Sequence, residues 1–274
     1  MRFTIQHHTW YRYDVAVRLA PHRIRLLPRL DQGQLLFERL QIDPVPQSRQ
    51  EVSDPLGNRC LLVEFSGACR ELQITSEFEL ITAPRQDATP HLAALPKLPW
   101  SPVTSLHSSP LDPSVETFAA NLAQQVGHAP LAFLDSLART LHQRTQIEVR
   151  TAGEALPAAV TLQSGRGACR DLTVLFLECA RSLGISGHFV SGYQCHPQPS
   201  GAPQFMHAWP EVLLPGGGFY GWDPTLGERL GDEYIALYSA PTQAETMPVD
   251  GGFYFDGPVV NSTLDFTLRV DRQP

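Results

Sequence analysis

The sequence of 274 residues contains no uninterrupted apolar run long enough to cross a membrane. The longest run, near residues 172–177, stops at Glu178. The first residues, MRFTIQHHTWYRYDV, lack the apolar segment and the small-residue cleavage site of a signal peptide. The sequence therefore predicts no membrane partner, and we expect the protein to be cytoplasmic.

Clusters of basic residues are also missing from the sequence. Lys and Arg number 21 against 28 Asp and Glu, which gives a net charge of −7, and no run of Lys or Arg stands out. A protein that binds nucleic acid normally presents a basic stripe or patch. The composition therefore predicts no nucleic-acid partner.

The five cysteines form no CxxC pair, and their number is odd. This pattern predicts reduced thiols rather than a disulfide framework. The set His188, Cys195, His196 and His207 fits no common zinc spacing, and no carboxylate-rich calcium loop of the EF-hand type occurs. We therefore predict no metal and no cofactor.

Alternation of residue types dominates the first third of the chain. Residues 3, 5, 7, 9, 11 and 13 alternate with mostly polar neighbours, and residues 72–81 alternate again, as half-buried strands do. The turn signal DPLGN at 54–58 separates two further candidate strands. Residues 1–83 are predicted to form an all-β domain, and the proline-rich residues 84–110 a linker or a long surface wrap.

From residue 111 the apolar spacing changes to that of helices. Spacings of three and four predict one helix from Asp112 or Ser114, a second over 131–142 and a third from Cys169. Strand patterns follow at 187–194, 205–214, 219–222 and 262–270. Residues 111–274 are therefore predicted to be one core of helices and strands, which makes the fold class α+β.

The stretch GRGACRDLTVLFLECARSLG (165–184) places a cysteine where a glycine-containing loop becomes a helix. Backbone N–H groups are unpaired at a helix start and the helix dipole is positive there, which favours a thiolate at Cys169. Gly165 and Gly167 would let a substrate backbone approach closely. The alternative is that Cys169, like Cys179 in the helix interior, is a small buried hydrophobic residue.

Two later segments carry the residue types that a thiolate needs for acyl transfer. QFMHAWPEVLL has His207 at the start of a predicted strand, and GFYGWDPTLG has Asp223 after another. If these strands are neighbours, the Asp223 carboxylate would hold the His207 imidazole in one tautomer and leave its other nitrogen for Cys169. Taken singly, His207 indicates a structural strand histidine and Asp223 a turn. The three residues together, in this order, favour a catalytic set.

The segments GACRD, HAWPEV and WDPTLG resemble the bacterial transglutaminase-like superfamily, which belongs with the papain-like thiol enzymes. HHTWYRYDV and DPLGN are similar to the β domain that precedes the core in bacterial members, so the resemblance covers nearly the whole chain. It implies a core in which the Cys169 helix packs on an antiparallel sheet. It also implies that Cys169 is the nucleophile, His207 the general base and acid, and Asp223 the residue that orients His207.

The resemblance further implies attack on a peptide or carboxamide carbonyl and a thioester intermediate. Two activities share these residues: cysteine-dependent hydrolysis of an amide or peptide bond, and transglutaminase-type transfer of an acyl group from a carboxamide to an amine. We favour hydrolysis, with a small modified peptide as one candidate substrate. A non-catalytic binding module on an inherited fold is a third interpretation.

Five residues near these motifs are candidates for supporting roles. Arg166 could meet an anionic substrate group or help to hold the thiolate, with an ordinary surface arginine as the alternative. Asp171 matches an acidic position of the family motif, and we interpret it as structural because it lies in the first helical turn. Tyr193, Trp209 and Trp222 are hypothesised to line the acyl cleft, with ordinary core aromatics as the alternative.

Two features depart from the family pattern. Pro210, inside HAWPEV, cannot donate to a strand ladder, so this strand is predicted to lie at a sheet edge or to contain a bulge. The region after WDPT lacks the His and the Gly-Arg-Asp-Tyr segment that many bacterial relatives carry. Substrate contacts from that region are therefore absent or replaced.

Overall fold

The computed structural model describes residues 1–83, 95–101, 110–197, 202–216, 218–257 and 259–273. Most of the predicted linker at 84–110 lies outside these ranges. Its described part, 95–101, packs on the helices, where Leu98 is buried and the Trp100 N–H donates to the Leu183 carbonyl at 2.9 Å. Within the described ranges, no helix has the length and apolar character that crossing a membrane requires.

Strands form the first third of the chain, as the alternation predicts. Phe3 and Ile5 of the first strand are fully buried while their neighbours are not, because successive side chains point to opposite faces. The sheets have the orders β1-β6-β3 and β2-β5-β4. The strands are β1 (Arg2–Leu19), β2 (His22–Ile24), β3 (Gly33–Asp43), β4 (Ser48–Ser53), β5 (Arg59–Glu64) and β6 (Cys69–Thr82).

The described residues contain four α-helices. The Asp112 side chain caps the first by accepting the Ser114 N–H at 2.8 Å, and Pro113 occupies the first position, where an N–H is not needed. The short third helix was not predicted, and it ends at Gly165 with a left-handed φ of 62°. The helices are α1 (Pro113–Gln125), α2 (Pro130–Arg144), α3 (Ala158–Ser164) and α4 (Cys169–Ser182).

Apart from the two sheets of the N-terminal strands, a further antiparallel sheet lies against α4, and it is called the second sheet below. Phe176 and Cys179 on the inner face of α4 are fully buried. The sheet order is β12-β11-β10-β9-β13, and β13 was not predicted. The α+β class, with helices packed on an antiparallel sheet, is confirmed. The two-residue strands β7 (Gln146–Ile147) and β8 (Arg166–Gly167) pair separately, and the sheet comprises β9 (Gly187–Gln194), β10 (His207–Leu214), β11 (Gly218–Asp223), β12 (Glu228–Arg229) and β13 (Tyr234–Ala240).

Pro210 lies in a central strand, so the prediction of an edge position or a bulge is wrong. β10 is flanked by β9 and β11, and Pro210 pairs with Phe189 of β9 in continuous register. The ladder between β10 and β11 begins one residue later, at Glu211 opposite Gly221. The missing proline N–H therefore falls at the end of that ladder, where it interrupts no pairing.

The last strand of the chain belongs to the first sheet. β16 (Ser262–Gln273) runs antiparallel to β1, from Arg2 opposite Gln273 to Tyr13 opposite Ser262. β14 (Val249–Asp250) and β15 (Phe253–Tyr254) likewise pair with β2 and β1. The sequence predicts this strand but groups it with residues 111–274. The pairing of two strands some 250 residues apart leaves no local signal in the sequence. The domain boundaries at 83 and 111 stay predictions.

The hydrophobic core of the N-terminal strands continues into the second sheet. Tyr193 and Ile235 of that sheet are fully buried in the same apolar cluster as Phe3 and Ile5. The helices cover a different part of the sheet, where Trp222 is buried among their apolar side chains. Both the N-terminal strands and the helices therefore pack on the second sheet.

Two leucines of β16 test whether this strand is docked. Leu268 packs against the N-terminal core, whereas Leu264 is 51% exposed. We expect Leu268→Lys to lower the free energy of unfolding by about 2 kcal/mol, because it removes apolar contact and places a charge against the core. Leu264→Lys should change it by less than about 0.5 kcal/mol. Urea denaturation measures both, and equal effects would contradict the docking.

Candidate active site

Cys169 is the first residue of α4, and its side chain is partly exposed. The loop before it is short because Gly165 ends α3 in the left-handed conformation and Ala168 is already the N-cap of α4. At such a position the first backbone N–H groups have no partner within the helix, and the dipole is positive. The fold therefore presents a thiol at the positive end of a well-packed helix.

Asp171 fastens this loop to the helix. It is fully buried, and its Oδ2 accepts the backbone N–H of Ala168 at 2.7 Å. Its Oδ1 accepts the Leu156 N–H and the Arg150 guanidinium, each at 2.7 Å. A Cβ on Gly167 would lie 3.1 Å from the Asp171 Cβ. Gly167 thus serves close packing on Asp171, which corrects the expectation that it makes room for a substrate backbone.

His207 begins β10, and Asp223 ends the neighbouring strand β11. The His207 Nε2 lies 2.7 Å from the Asp223 Oδ2. The Asp223 side chain has no exposed surface, and 12% of the His207 side chain is exposed. His207 lowers the pKa of the Cys169 thiol by hydrogen bonding and by its charge. Because Nε2 faces the carboxylate, Nδ1 is the nitrogen left for that bond.

Three side chains that sequence reasoning missed complete the surroundings of Asp223. The Tyr234 hydroxyl and the Gln194 amide donate to Oδ2 at 2.8 and 3.1 Å. The Thr225 N–H and hydroxyl donate to Oδ1 at 2.8 and 2.6 Å. The Asp-Pro-Thr turn signal could have found Thr225, since aspartate side chains accept the N–H two residues on. Gln194 and Tyr234 carried no such signal.

The charges of these groups stabilise one another. Burial lowers the pKa of His207, but the charges and hydrogen bonds of Asp223 and Cys169 together outweigh burial and raise it to about 10. Burial raises the pKa of the Cys169 thiol, but the hydrogen bond and charge of His207 and the Ala208 N–H together bring it below its ordinary value. Burial likewise raises the pKa of Asp223, but His207 and the hydroxyl donors hold it well below its usual range. This arrangement favours a thiolate paired with an imidazolium.

Trp209 lies beside His207, whereas Arg166 lies at the surface. The Trp209 ring is fully buried, with its centroid 6.2 Å from that of His207 and 5.5 Å from that of Tyr234. It stands two positions after His207 and therefore on the same face of β10. The Arg166 side chain is 60% exposed and pairs with Glu148 at 2.6 Å. Arg166 is engaged by a carboxylate of its own chain.

Tyr193 does not reach the cluster, which corrects the hypothesis that it lines the cleft. Its ring is fully buried in the N-terminal core, and its hydroxyl lies 2.8 Å from the His7 Nδ1. Neighbouring residues of a strand face opposite sides of the sheet, and Gln194 is the one that contacts Asp223. Tyr193 is therefore a core aromatic that joins the second sheet to β1.

Trp222 is also a core aromatic and not a cleft residue. Its ring is buried among the helices and stacks on Phe176 with a centroid distance of 6.1 Å. Its indole N–H donates to the Asp135 carboxylate of α2 at 3.0 Å. The same alternation explains its position, because the next residue, Asp223, is the one that faces His207.

The cluster as a whole is equipped for nucleophilic chemistry. It combines a thiol with a contacting imidazole and a buried carboxylate behind that imidazole, which is the arrangement that activates a thiol for acyl transfer. Nowhere in the described part of the chain do three or more His, Cys, Asp or Glu side chains form a group that could hold a metal ion. The predicted absence of a metal stays a prediction.

Two family models match this chain. The bacterial transglutaminase-like N-terminal region matches residues 3–80, and the transglutaminase-like superfamily matches residues 120–224, which contain Cys169, His207 and Asp223. The chain thus contains a bacterial transglutaminase-like N-terminal region followed by a region that matches the transglutaminase-like superfamily. The resemblance predicted from the sequence motifs is thereby confirmed.

Relatives of similar length occur in mycobacteria. An uncharacterized protein of Mycobacterium tuberculosis strain H37Rv is 28% identical over an alignment of 292 positions. The alignment covers 98% of this chain and 92% of the relative. An uncharacterized protein of Mycobacterium leprae is 24% identical over 288 residues, with 99% of each chain covered. The match therefore extends over both the N-terminal strands and the transglutaminase-like core.

One solved structure shares the whole architecture. It is a protein of Cytophaga hutchinsonii, solved as a candidate cysteine protease, with a TM-score of 0.68 and 14% sequence identity. The similarity covers 99% of this chain and 90% of that chain. At this identity the match shows the fold, which combines N-terminal strands with a transglutaminase-like core.

Asp171 provides a test of how the Cys169 loop is held. Asp171→Asn replaces a buried carboxylate that accepts two backbone N–H groups and a guanidinium. We expect the free energy of unfolding to fall by about 3 kcal/mol, since charge-assisted hydrogen bonds are lost and Arg150 loses its partner. Chemical denaturation measures the change. In the control Asp265→Asn, at an exposed carboxylate paired with Arg12, the loss should stay below about 1 kcal/mol.

Tyr234 provides a test of the donors around Asp223. Tyr234→Phe removes one hydroxyl from a fully buried carboxylate, so we expect the free energy of unfolding to fall by about 2 kcal/mol. Tyr220→Phe, on β11, is the matched control, because none of the hydrogen bonds in the described residues involves its hydroxyl. We expect its effect to stay within about 0.5 kcal/mol. Thermal and urea unfolding report both changes, and a neutral Tyr234→Phe would contradict the assigned bond.

Proposed function

We propose that this protein is a cysteine-dependent hydrolase of amide or peptide bonds that acts through a thioester intermediate. The observation that carries the proposal is the 2.7 Å contact of the His207 Nε2 with the buried Asp223 carboxylate, beside a Cys169 thiol whose pKa His207 lowers. Cys169 is the nucleophile, His207 the general base and acid, and Asp223 the residue that orients and charges the imidazole.

In the resting site the proton sits on His207 and Cys169 is a thiolate. The downward shift of the Cys169 pKa and the upward shift of the His207 pKa both support this state. The thiolate sulfur attacks the carbonyl carbon of a peptide or carboxamide, and the carbonyl oxygen gains the negative charge. The backbone N–H of Cys169, at the start of α4, is suited to donate to that oxygen.

Collapse of this tetrahedral species breaks the carbon–nitrogen bond. His207 gives its proton to the departing amine, and a thioester between the acyl group and Cys169 remains. A water molecule then attacks the thioester carbon while His207 accepts one of its protons. This second tetrahedral species collapses by breaking its carbon–sulfur bond, which releases the carboxylic acid and regenerates the Cys169 thiolate beside a protonated His207. An amine in place of that water would give a new amide, which is transglutaminase-type transfer.

Alkylation by iodoacetamide tests the activated pair. We expect the rate at Cys169 to change less than about threefold between pH 6 and pH 8, because its lowered pKa keeps the thiolate populated. An ordinary thiol with a pKa near ~8.5 would slow about a hundredfold over the same range. Mass spectrometry of peptides separates Cys169 from the buried Cys179. A pH profile at Cys169 like that of a free cysteine would overturn the proposal.

Histidine variants provide the matched comparison. His207→Ala removes the charge that stabilises the thiolate, so alkylation of Cys169 at pH 6 should slow at least about tenfold. His8→Ala changes a histidine of β1 that bonds to Thr75 and lies in the N-terminal sheet, and it should leave the rate unchanged. Equal rates in both variants would count against a Cys169–His207 pair.

Product analysis distinguishes the activities. Peptides and carboxamides are incubated with the wild-type protein and with Cys169→Ala, with and without an added primary amine. We expect a free acid as product and an acyl-enzyme of increased mass that Cys169→Ala does not form. An amide product in the presence of amine would assign acyl transfer instead. Turnover that survives in Cys169→Ala would refute the role of this thiol.

A further inference from the structure

A cavity of about 690 Å³ lies between the N-terminal strands and the second sheet. Its lining comes from the segments 29–32, 55–57 and 82–83 on one side and from β9, β10, β11, Asp232 and β13 on the other, and it includes neither Cys169 nor His207. A cavity of this size at the boundary of two structural units falls within the range of small-molecule sites. The site proposed for catalysis does not account for it.

Buried charges form the floor of this cavity. Arg29 and Glu211 are 6% and 2% exposed, and their side chains join at 2.8 Å. The Arg29 guanidinium also holds Asp31 through two nitrogens at 2.8 Å each, and donates to the Ser239 hydroxyl at 3.2 Å. A second bond to Glu211, from Nη2 at 3.4 Å, brings the number to five, so all five N–H groups of Arg29 are directed at its own chain. Arg29 therefore has no donor left for an anionic ligand.

The lining contains two further aspartates, Asp31 and Asp232, and Asp232 pairs with the N-terminal ammonium of Met1 at 3.8 Å. Asp31 is 54% exposed and has lone pairs beyond those used by Arg29 and by the Gln32 amide. His188 is bonded through Nε2 to Glu211, and its Nδ1 bonds to no other residue in the described part of the chain. Arg29 faces the two carboxylates of Asp31 and Glu211, so these three side chains together carry one formal negative charge. Such a wall favours a ligand that donates hydrogen bonds and is positively charged.

The aromatic walls favour the same kind of ligand. Phe219 stacks on His188 with ring centroids 4.1 Å apart, and 39% of Phe219 is exposed. Tyr234, the first residue of β13, is a second aromatic residue of the lining. Aromatic faces attract ammonium and guanidinium groups, most strongly where water is partly excluded. The cavity thus combines carboxylate acceptors with aromatic faces.

We propose that this cavity binds a small cationic molecule through a primary ammonium or guanidinium group, held by Asp31 and packed against Phe219 and His188. The proposal concerns binding alone, and it holds whether or not Cys169 is catalytic. Tyr234 lines the cavity and donates to Asp223 at 2.8 Å. A bound cation would therefore lie one side chain away from the carboxylate that contacts His207.

Calorimetric titration of the full chain with agmatine tests the proposal, because agmatine carries both an amine and a guanidinium. We expect one saturable site with a dissociation constant below about 1 mM. Succinate, an anion of similar length, should not bind. Asp31→Asn should weaken agmatine binding at least about tenfold, whereas Asp265→Asn, at an exposed carboxylate of β16, should leave it unchanged.

A second variant keeps the test valid if Asp31→Asn disturbs the Arg29 pair. Phe219→Ala removes a partly exposed ring, so we expect a folded protein that binds agmatine at least about threefold more weakly. Circular dichroism verifies the fold of each variant. No binding of agmatine to the wild-type protein at 10 mM would overturn the proposal. Equal binding by wild-type, Asp31→Asn and Phe219→Ala proteins would do the same, since the ligand would then lie elsewhere.

Discussion

The need to satisfy one fully buried carboxylate organises the second sheet. Asp223 is charged and has no contact with solvent, so every donor around it must be supplied by the chain. The donors come from β9, β10 and β13 and from the turn after β11, through Gln194, His207, Tyr234 and Thr225. Slipping any of these strands by one residue would turn its donor to the opposite face. The register that satisfies Asp223 is therefore the register that aims His207 at Cys169.

The N-terminal strands contribute to this arrangement although they hold none of the three proposed catalytic residues. The Asn58 amide of the DPLGN turn donates to the Ser239 carbonyl at 2.7 Å and accepts the Ser239 N–H at 2.8 Å. Arg29 pairs with Glu211, and Tyr193 packs into the N-terminal core. β10 and β13 are thus held from the side that the helices leave uncovered. The DPLGN turn is far from Cys169 in the sequence, yet it helps to hold the sheet that carries His207 and Asp223.

Local sequence patterns predicted much of the fold. Alternation identified β1 and β6, the Asp112 cap marked α1, and the helix-start position of Cys169 followed from its glycines and apolar stripe. The predictions that were wrong or missing concerned contacts between residues far apart in the sequence, or the face of a strand on which a side chain lies. Tyr193 and Trp222 were assigned to the cleft because they neighbour motif residues, yet adjacency within a strand means opposite faces. The pairing of β16 with β1, the donors Gln194 and Tyr234 and the ion pair of Arg29 arise only in three dimensions.

The pairing of β16 with β1 sets an order of events during synthesis. β1 is made some 250 residues before its partner strand β16. Until then, one edge of β1 has open hydrogen-bonding groups while β6 already occupies the other. An open edge of this kind invites pairing with other strands, and long-range closure is slow. That edge of β1 therefore stays open to other strands until β16 has been made.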